Sequence, residues 1–156
     1  MSEIVRIEME NGDIIRAELY PEIAPNTVSN FVNLVKEGFY DGTIFHRVIP
    51  GFMIQGGAGI DGKNAKAIEG EFASNGFNND LKHERGVLSM ARTMDPNSAS
   101  SQFFIMVSDS PHLDGEYASF GKVIEGIEAA DKIVEVNRDH MDKPLKDQKM
   151  KRVTME

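Results

Sequence analysis

The segment Gly57-Ala58-Gly59-Ile60-Asp61-Gly62 follows a strand-like Phe52-Met53-Ile54-Gln55 and carries the glycine spacing that cradles a dinucleotide pyrophosphate. Lys63-Asn64-Ala65-Lys66 comes next instead of an apolar helix, and no βαβ alternation surrounds it, so these glycines read as loop geometry. The P-loop and nucleophile-elbow patterns do not occur, which removes the strongest nucleotide and serine-hydrolase signals. His46, His83, His112 and His140 are scattered singly, without the i, i+4 spacing of a metal site, and no metal or other cofactor is expected. His46 adjoins Arg47 in a strand-like run, so one of the two should face inward, and His46 reads most simply as a hydrogen-bonded core residue. His83 and His140 sit among charges and read as structural or solvated. The basic run Lys143 to Arg152 is interrupted by Asp147 and reads as a solvated strand with its lead-in loop.

The elements that must position these residues are mostly strands. Val5, Ile7 and Met9 alternate with charged residues, and after Asn11-Gly12 the alternation resumes in Ile15, Ala17 and Leu19, which predicts a β-hairpin. Val28, Phe31, Val32 and Val35 then fall at helical spacing, with Pro25 near the first turn and Gly38 after the last. A second helix is predicted from about Gly126 to Val136 on Ile127, Ala130, Ile133 and Val134. Short strands are predicted at Ile44 to Ile49, Phe52 to Gln55, Val87 to Arg92, Gln102 to Val107, Ala118 to Val123 and Lys149 to Met155, a pattern of barrel or sandwich type. Between them lie two long polar stretches, Gly56 to Gly70 and Thr93 to Ser101, of the length that usually carries function.

Composition narrows the classes. The 156 residues fit one domain, 1–156, able to bury a sizeable core, and no repeat or linker divides them. With 17 Lys and Arg against 25 Asp and Glu the formal charge is −8, which argues against nucleic acid and anionic membrane as partners. The absence of Cys excludes disulfides, thiolate zinc sites and cysteine nucleophiles, and suits a reducing cytoplasm. The opening Met1-to-Asp13 stretch has no apolar run of a secretory leader.

The run from Phe45-His46-Arg47 through Pro50-Gly51-Phe52-Met53-Ile54-Gln55-Gly56-Gly57 resembles the cyclophilins, the cyclosporin-binding peptidyl-prolyl isomerases. The likeness continues through Gly70-Glu71-Phe72, Leu88-Ser89-Met90-Ala91-Arg92, Ser101-Gln102-Phe103-Phe104-Ile105, Leu113-Asp114-Gly115 and Phe120-Gly121-Lys122-Val123, in the family's order and over nearly the whole chain. This resemblance implies a mainly β fold, a closed eight-stranded antiparallel β-barrel capped by two α-helices, in agreement with the six or more strands and two helices read independently. It also implies isomerisation of Xaa-Pro bonds without nucleophile, metal or cofactor, on proline-containing peptides and unfolded or folding proteins.

On that resemblance Arg47 is the catalytic arginine and Gln55 its polar companion. Phe52, Met53, Phe104 and Leu113 are the wall of the proline pocket, and Gln102, Ala91 and Arg92 are further substrate contacts. The chemistry fits the residue types. A twisted amide loses resonance, its prolyl nitrogen regains a lone pair, and a fixed cationic donor can then bond it. The family tryptophan at the rim is replaced by His112 and a nearby histidine by Tyr117, so cyclosporin affinity is expected to be weakened. Ala91-Arg92-Thr93-Met94-Asp95 is one residue longer than the eukaryotic pattern, and the short, extension-free form resembles bacterial cytoplasmic members; a cytoplasmic monomer is expected. Two rivals from other classes stand beside this reading. One is a proline-binding module or holdase chaperone with little turnover, which would need the apolar wall without Arg47 and Gln55. The other is a nicotinamide enzyme built on the glycine spacing.

Overall fold

The computed structural model describes residues 3–156; Met1 and Ser2, at the start of the stretch read as lacking a leader, lie outside the described residues. Eight strands form one antiparallel sheet: β1 (Glu3–Met9), β2 (Ile14–Leu19), β3 (Phe45–Ile49), β4 (Met53–Gly56), β5 (Val87–Met90), β6 (Phe103–Met106), β7 (Ser119–Glu125) and β8 (Met150–Met155). Their order across the sheet is β3-β4-β6-β5-β7-β2-β1-β8. Two helices accompany them, α1 (Pro25–Lys36) and α2 (Ile127–Val134), with single 3-10 turns at Ala73–Asn75 and Pro111–Leu113.

The predicted hairpin is β1–β2, with Ile7 opposite Ile15 and Val5 opposite Ala17, all four fully buried. Its turn spans three residues. Gly12 N–H donates to the Met9 carbonyl at 2.9 Å and Met9 N–H to the Asp13 carbonyl at 2.8 Å, and at Asn11-Gly12 only Gly12, at φ +95°, takes the left-handed conformation. α1 buries Val28, Phe31, Val32 and Val35, and the Phe31 ring meets Tyr40, Phe103 and Phe120 at centroid distances of 5.1 to 5.3 Å. Its N-terminus lacks a capping side chain of its own. The buried carboxylate of Glu71 supplies the cap from far along the chain, accepting from Thr27 N–H and Thr27 Oγ1, both at 2.7 Å, and from Asn26 N–H at 3.3 Å.

The sheet curls into a half-barrel and does not close as a barrel, which corrects the closed form expected from the resemblance. Its two edge strands, β3 and β8, share no ladder: one isolated pair, Ile44 with Lys149, bridges them. The free edge of β3 is met by the lead-in to β8, with Phe45 N–H donating to the Gln148 carbonyl at 2.9 Å and Val48 N–H to the Asp142 carbonyl at 2.8 Å. Irregular backbone therefore satisfies donors that a closing strand would have taken.

Two apolar clusters flank the central strands. Ile54, Leu88, Met90, Phe103 and Ile105 face the main core with β1, β2 and both helices, whereas Met53, Val87, Phe104 and Met106 face the other side and join Leu113 in a second cluster. Strands β5 and β6 are thus buried on both faces, which is why their sequence is a continuous apolar run with one serine. The second cluster is the floor of the site.

Candidate active site

The β3–β4 register sets Arg47 opposite Gln55, and the β4–β6 register sets Gln55 opposite Phe104. Arg47 Nη1 donates to Gln55 Oε1 at 3.3 Å, and Gln55 Nε2 donates to Gln102 Oε1 at 2.9 Å, so the three polar side chains form one chain of hydrogen bonds. Gln102 in turn holds the neighbouring strand end, because its carbonyl accepts from Ala91 N–H at 3.0 Å. Arg47 itself is exposed, with donors left over for a bound molecule.

Beside this chain lies a cavity of about 140 Å³ lined by Arg47, Phe52, Met53, Gln55, Ala91, Arg92, Phe104, Leu113 and Tyr117. All nine are among the eleven site residues named from the sequence. The other two stand next to it. Gln102 lines an adjoining hollow of about 260 Å³ together with Thr93, Ser98 and Ser100. His112 lies on the rim in an open recess with Met94 and Glu116, its ring stacked on Phe52 at 5.8 Å and 30°. A cavity of this size takes a single small ring. A larger hollow of about 350 Å³ lies elsewhere, lined by Glu10, Asp13, Lys132 and Lys149 among others, but its charges pair with one another, Lys132 with Asp13 at 3.1 Å and Lys149 with Glu10 at 3.8 Å.

Arg92 lines the cavity through a guanidinium largely engaged by the protein. Its Cζ lies 4.8 Å from the centroid of Phe72 and 4.7 Å from that of Tyr117, between the two rings. Nη2 and Nε donate to the Glu116 carbonyl at 2.6 and 3.2 Å, and Nη1 to the Thr93 carbonyl at 2.9 Å. It thereby fixes Tyr117, whose ring meets Phe104 edge-on at 5.7 Å.

One histidine differs from its sequence reading, and a second takes the structural one of its two. His46 is not a hydrogen-bonded core residue: it is half-buried, and its Nδ1 is buried without a partner among the described residues. The register shift between Phe45 and Arg47 breaks the alternation on which the expectation rested, since Phe45 and Val48 both reach the core across it. Burial, then the charges of Arg47 and Lys143, hold its pKa below the ordinary 6.5. His83, read only as structural or solvated, is 1% exposed and lies under the cavity floor, bonded to Asp114 and Ser89. Thr93, Ser98, Ser100 and His83 are the site-proximal residues that the sequence reading left out. For His83 the sole sequence signal is its place between Leu81 and the Glu84-Arg85 pair, which resembles any surface turn.

The glycines from Gly57 to Gly62 do not open a helix; Gly57, at φ +86°, lies so close to Tyr40 that a Cβ would stand 2.8 Å from its ring. The dinucleotide spacing serves close packing there.

Residues 4–155 match the profile of the cyclophilin type peptidyl-prolyl cis-trans isomerase/CLD family. The chain belongs to this family. It is 48% identical over 132 residues to peptidyl-prolyl cis-trans isomerase A of Dickeya dadantii, covering 81% of this chain and 69% of the relative. It is 43% identical to peptidyl-prolyl cis-trans isomerase B of Escherichia coli, over 97% of this chain and 99% of that one. Among solved structures, a cyclophilin type isomerase of Cryptosporidium parvum superposes with TM-score 0.89 at 34% identity, covering 100% of this chain and 98% of the other. A second structure of that protein, obtained in the presence of the dipeptide Ala-Pro, gives TM-score 0.83 at 35% identity over 98% of each chain. Family and relatives together support peptidyl-prolyl cis-trans isomerase activity for this cyclophilin.

Proposed function

We propose that this cyclophilin accelerates rotation about Xaa-Pro bonds by donating a hydrogen bond from Arg47 to the twisted prolyl amide while the proline ring sits in the cavity floored by Met53, Phe104 and Leu113. The observation that carries this reading is the Arg47–Gln55–Gln102 hydrogen-bond chain at the edge of a cavity of about 140 Å³. An amide rotates over a barrier of about 18–20 kcal/mol, and Xaa-Pro exchange takes roughly tens to hundreds of seconds unaided. Raising the rate to about 10–1,000 per second needs roughly 4–7 kcal/mol of preferential transition-state stabilisation.

The residues divide that task by chemistry. The apolar floor holds the pyrrolidine ring in both planar and twisted states, which gives affinity. Arg47 bonds the prolyl nitrogen only once resonance is lost, which gives rate. Gln55 orients the guanidinium, and Gln102 fixes Gln55, so the donor is in place before the amide twists. The Cryptosporidium parvum structure obtained in the presence of Ala-Pro supports proline-containing peptides as ligands. Unfolded and folding proteins expose such bonds and are the proposed substrates of a single-domain monomer. An acidic, cysteine-free chain supports a cytoplasmic place of action.

Magnetisation exchange on an Ala-Pro peptide, with wild type and Arg47→Ala compared, tests the reading. Wild type at micromolar concentration speeds exchange, and Arg47→Ala lowers kcat/KM by about 1.5–4 kcal/mol, ten- to a thousandfold, with the melting temperature unchanged because Arg47 is exposed. Exchange at the rate of buffer would sink the enzyme reading and leave a proline-gripping module. A collapse of stability in Arg47→Ala would make Arg47 structural.

A further inference from the structure

His83 is a buried titratable group that the mechanism above does not use, and its ring packs against two residues of the site. Its ring lies nearly parallel to Phe104, at 6.1 Å and 20°, and edge-on to Tyr117 at 6.5 Å. Its Nδ1 is 3.1 Å from Asp114 Oδ1, and its Nε2 is 2.9 Å from Ser89 Oγ. The same Asp114 oxygen accepts from the His83 backbone N–H at 2.6 Å, and the His83 carbonyl accepts from Ser110 N–H at 2.8 Å. His83 thus ties three pieces together: β5 through Ser89, β6 through Phe104, and the turn bearing His112, Leu113 and Asp114.

We propose that His83 is a positioning residue of the prolyl site, held as the neutral ring between Asp114 and Ser89 so that Phe104 and Leu113 keep the shape of the cavity that takes proline. This inference rests on the function proposed above. A carboxylate only accepts, so Nδ1 carries the proton and Nε2 accepts from the Ser89 hydroxyl. Ser89 is fully buried, and its Oγ has no other hydrogen-bond partner among the described residues. When the ring gains a second proton, Nε2 becomes a donor and the Ser89 hydroxyl hydrogen must turn toward apolar wall, leaving it unsatisfied beneath Phe104. Burial opposes that protonation, the bond and charge of Asp114 favour it, and the charge of His112 opposes it again; the net result is a pKa below the ordinary 6.5. The cavity therefore has two shapes, set by one proton.

The test compares the NMR titration of the His83 ring with the pH dependence of kcat/KM for an Ala-Pro peptide, alongside His83→Gln and a His112→Gln control that removes the exposed neighbouring imidazole. Wild-type kcat/KM is expected to fall at least tenfold as His83 takes up its proton below pH 6.5, with the far-UV circular dichroism unchanged. The His112→Gln control is expected to show a fall of the same size that tracks its own His83 titration, moved to higher pH because the opposing charge is gone. His83→Gln is expected to be at least tenfold slower at neutral pH and flat across that range. Activity indifferent to the His83 titration overturns the inference, as does His83→Gln with wild-type kcat/KM, or loss of activity that only accompanies unfolding. Should His83→Gln fail to fold, the wild-type titration decides alone. A wild type inactive at neutral pH would refute the isomerase reading itself, whereas an active enzyme that ignores His83 refutes only this inference.

Discussion

Phe104 stands where one side chain can serve both packing and the proposed binding. It is 5% exposed, stacks over His83, meets Tyr117 edge-on, and still lines the cavity. Phe104→Ala is expected to cost about 3–5 kcal/mol of stability in denaturant titrations. It should also raise KM for prolyl peptides, because in the proposed mode the wall it removes would touch the ring in ground and transition state alike. A normal melting curve with unchanged KM would place it outside the pocket. His112 behaves differently, since it stands on the rim against Phe52 and away from Arg47. His112→Trp adds about 50–80 Å² of apolar contact, worth roughly 1–2 kcal/mol at 25 cal/mol per Å², so cyclosporin should bind about five- to thirtyfold tighter in calorimetry. Peptide exchange should change little; equal gains in both would move His112 into the catalytic centre. At this scale eight of the nine cavity residues were legible because each lies inside a run that resembles a family motif, and Tyr117 because it stands in place of a family histidine. His83 was not, because its partners Ser89 and Asp114 are distant in sequence and nothing local distinguishes a buried histidine flanked by charges from a solvated one.

At the scale of elements, the Gly70-Glu71-Phe72 segment does its work 44 residues away from the helix end that it caps, through Thr27. Glu71→Ala leaves the first turn of α1 with unsatisfied buried donors and is expected to cost about 1–3 kcal/mol. At roughly 2–4 °C per kcal/mol this appears as a lower melting temperature in calorimetry. Glu71→Gln, which keeps an acceptor near Thr27, should lose less; an equal loss would show that charge rather than hydrogen bonding holds the turn. Kinetics at low temperature should stay close to wild type in both, because α1 lies across the main core from the cavity. Helix and strand positions were readable from periodicity: α1 fills the interval between Pro25 and Gly38, and every predicted strand exists within a few residues. Periodicity fails where pairing is irregular. The shift between Phe45 and Arg47 keeps His46 out of the hydrogen-bonded core, and no pattern of residue types marks such a bulge in advance.

For the whole molecule, two histidines titrate below their ordinary value, and this sets a direction for stability with pH. Burial is the leading cause for both His46 and His83. The unfolded chain takes up protons near pH 6.5, whereas the folded chain takes them up only at lower pH. Their contribution to stability is therefore complete above about 6.5 and is lost as pH falls from there through the folded values. Urea midpoints measured from about pH 7.5 down to 5 should decline, and His83→Gln should decline less; a flat series would show that neither ring is held neutral by the fold. Closure of the barrel was the feature of the whole that resemblance overstated, because whether an edge pairs with a strand or with a loop depends on the conformation of the residues leading into β8. The sheet order carries one more consequence. β1 lies between β2 and β8, so the first of the eight strands in chain order has one side open until the eighth has been made. During synthesis the exposed edge of β1, with Val5, Ile7 and Met9 alternating along it, must stay clear of other nascent chains while the intervening residues are made. A protein whose proposed work is to hasten the folding of others completes its own sheet through the pairing most distant in its chain, β1 with β8.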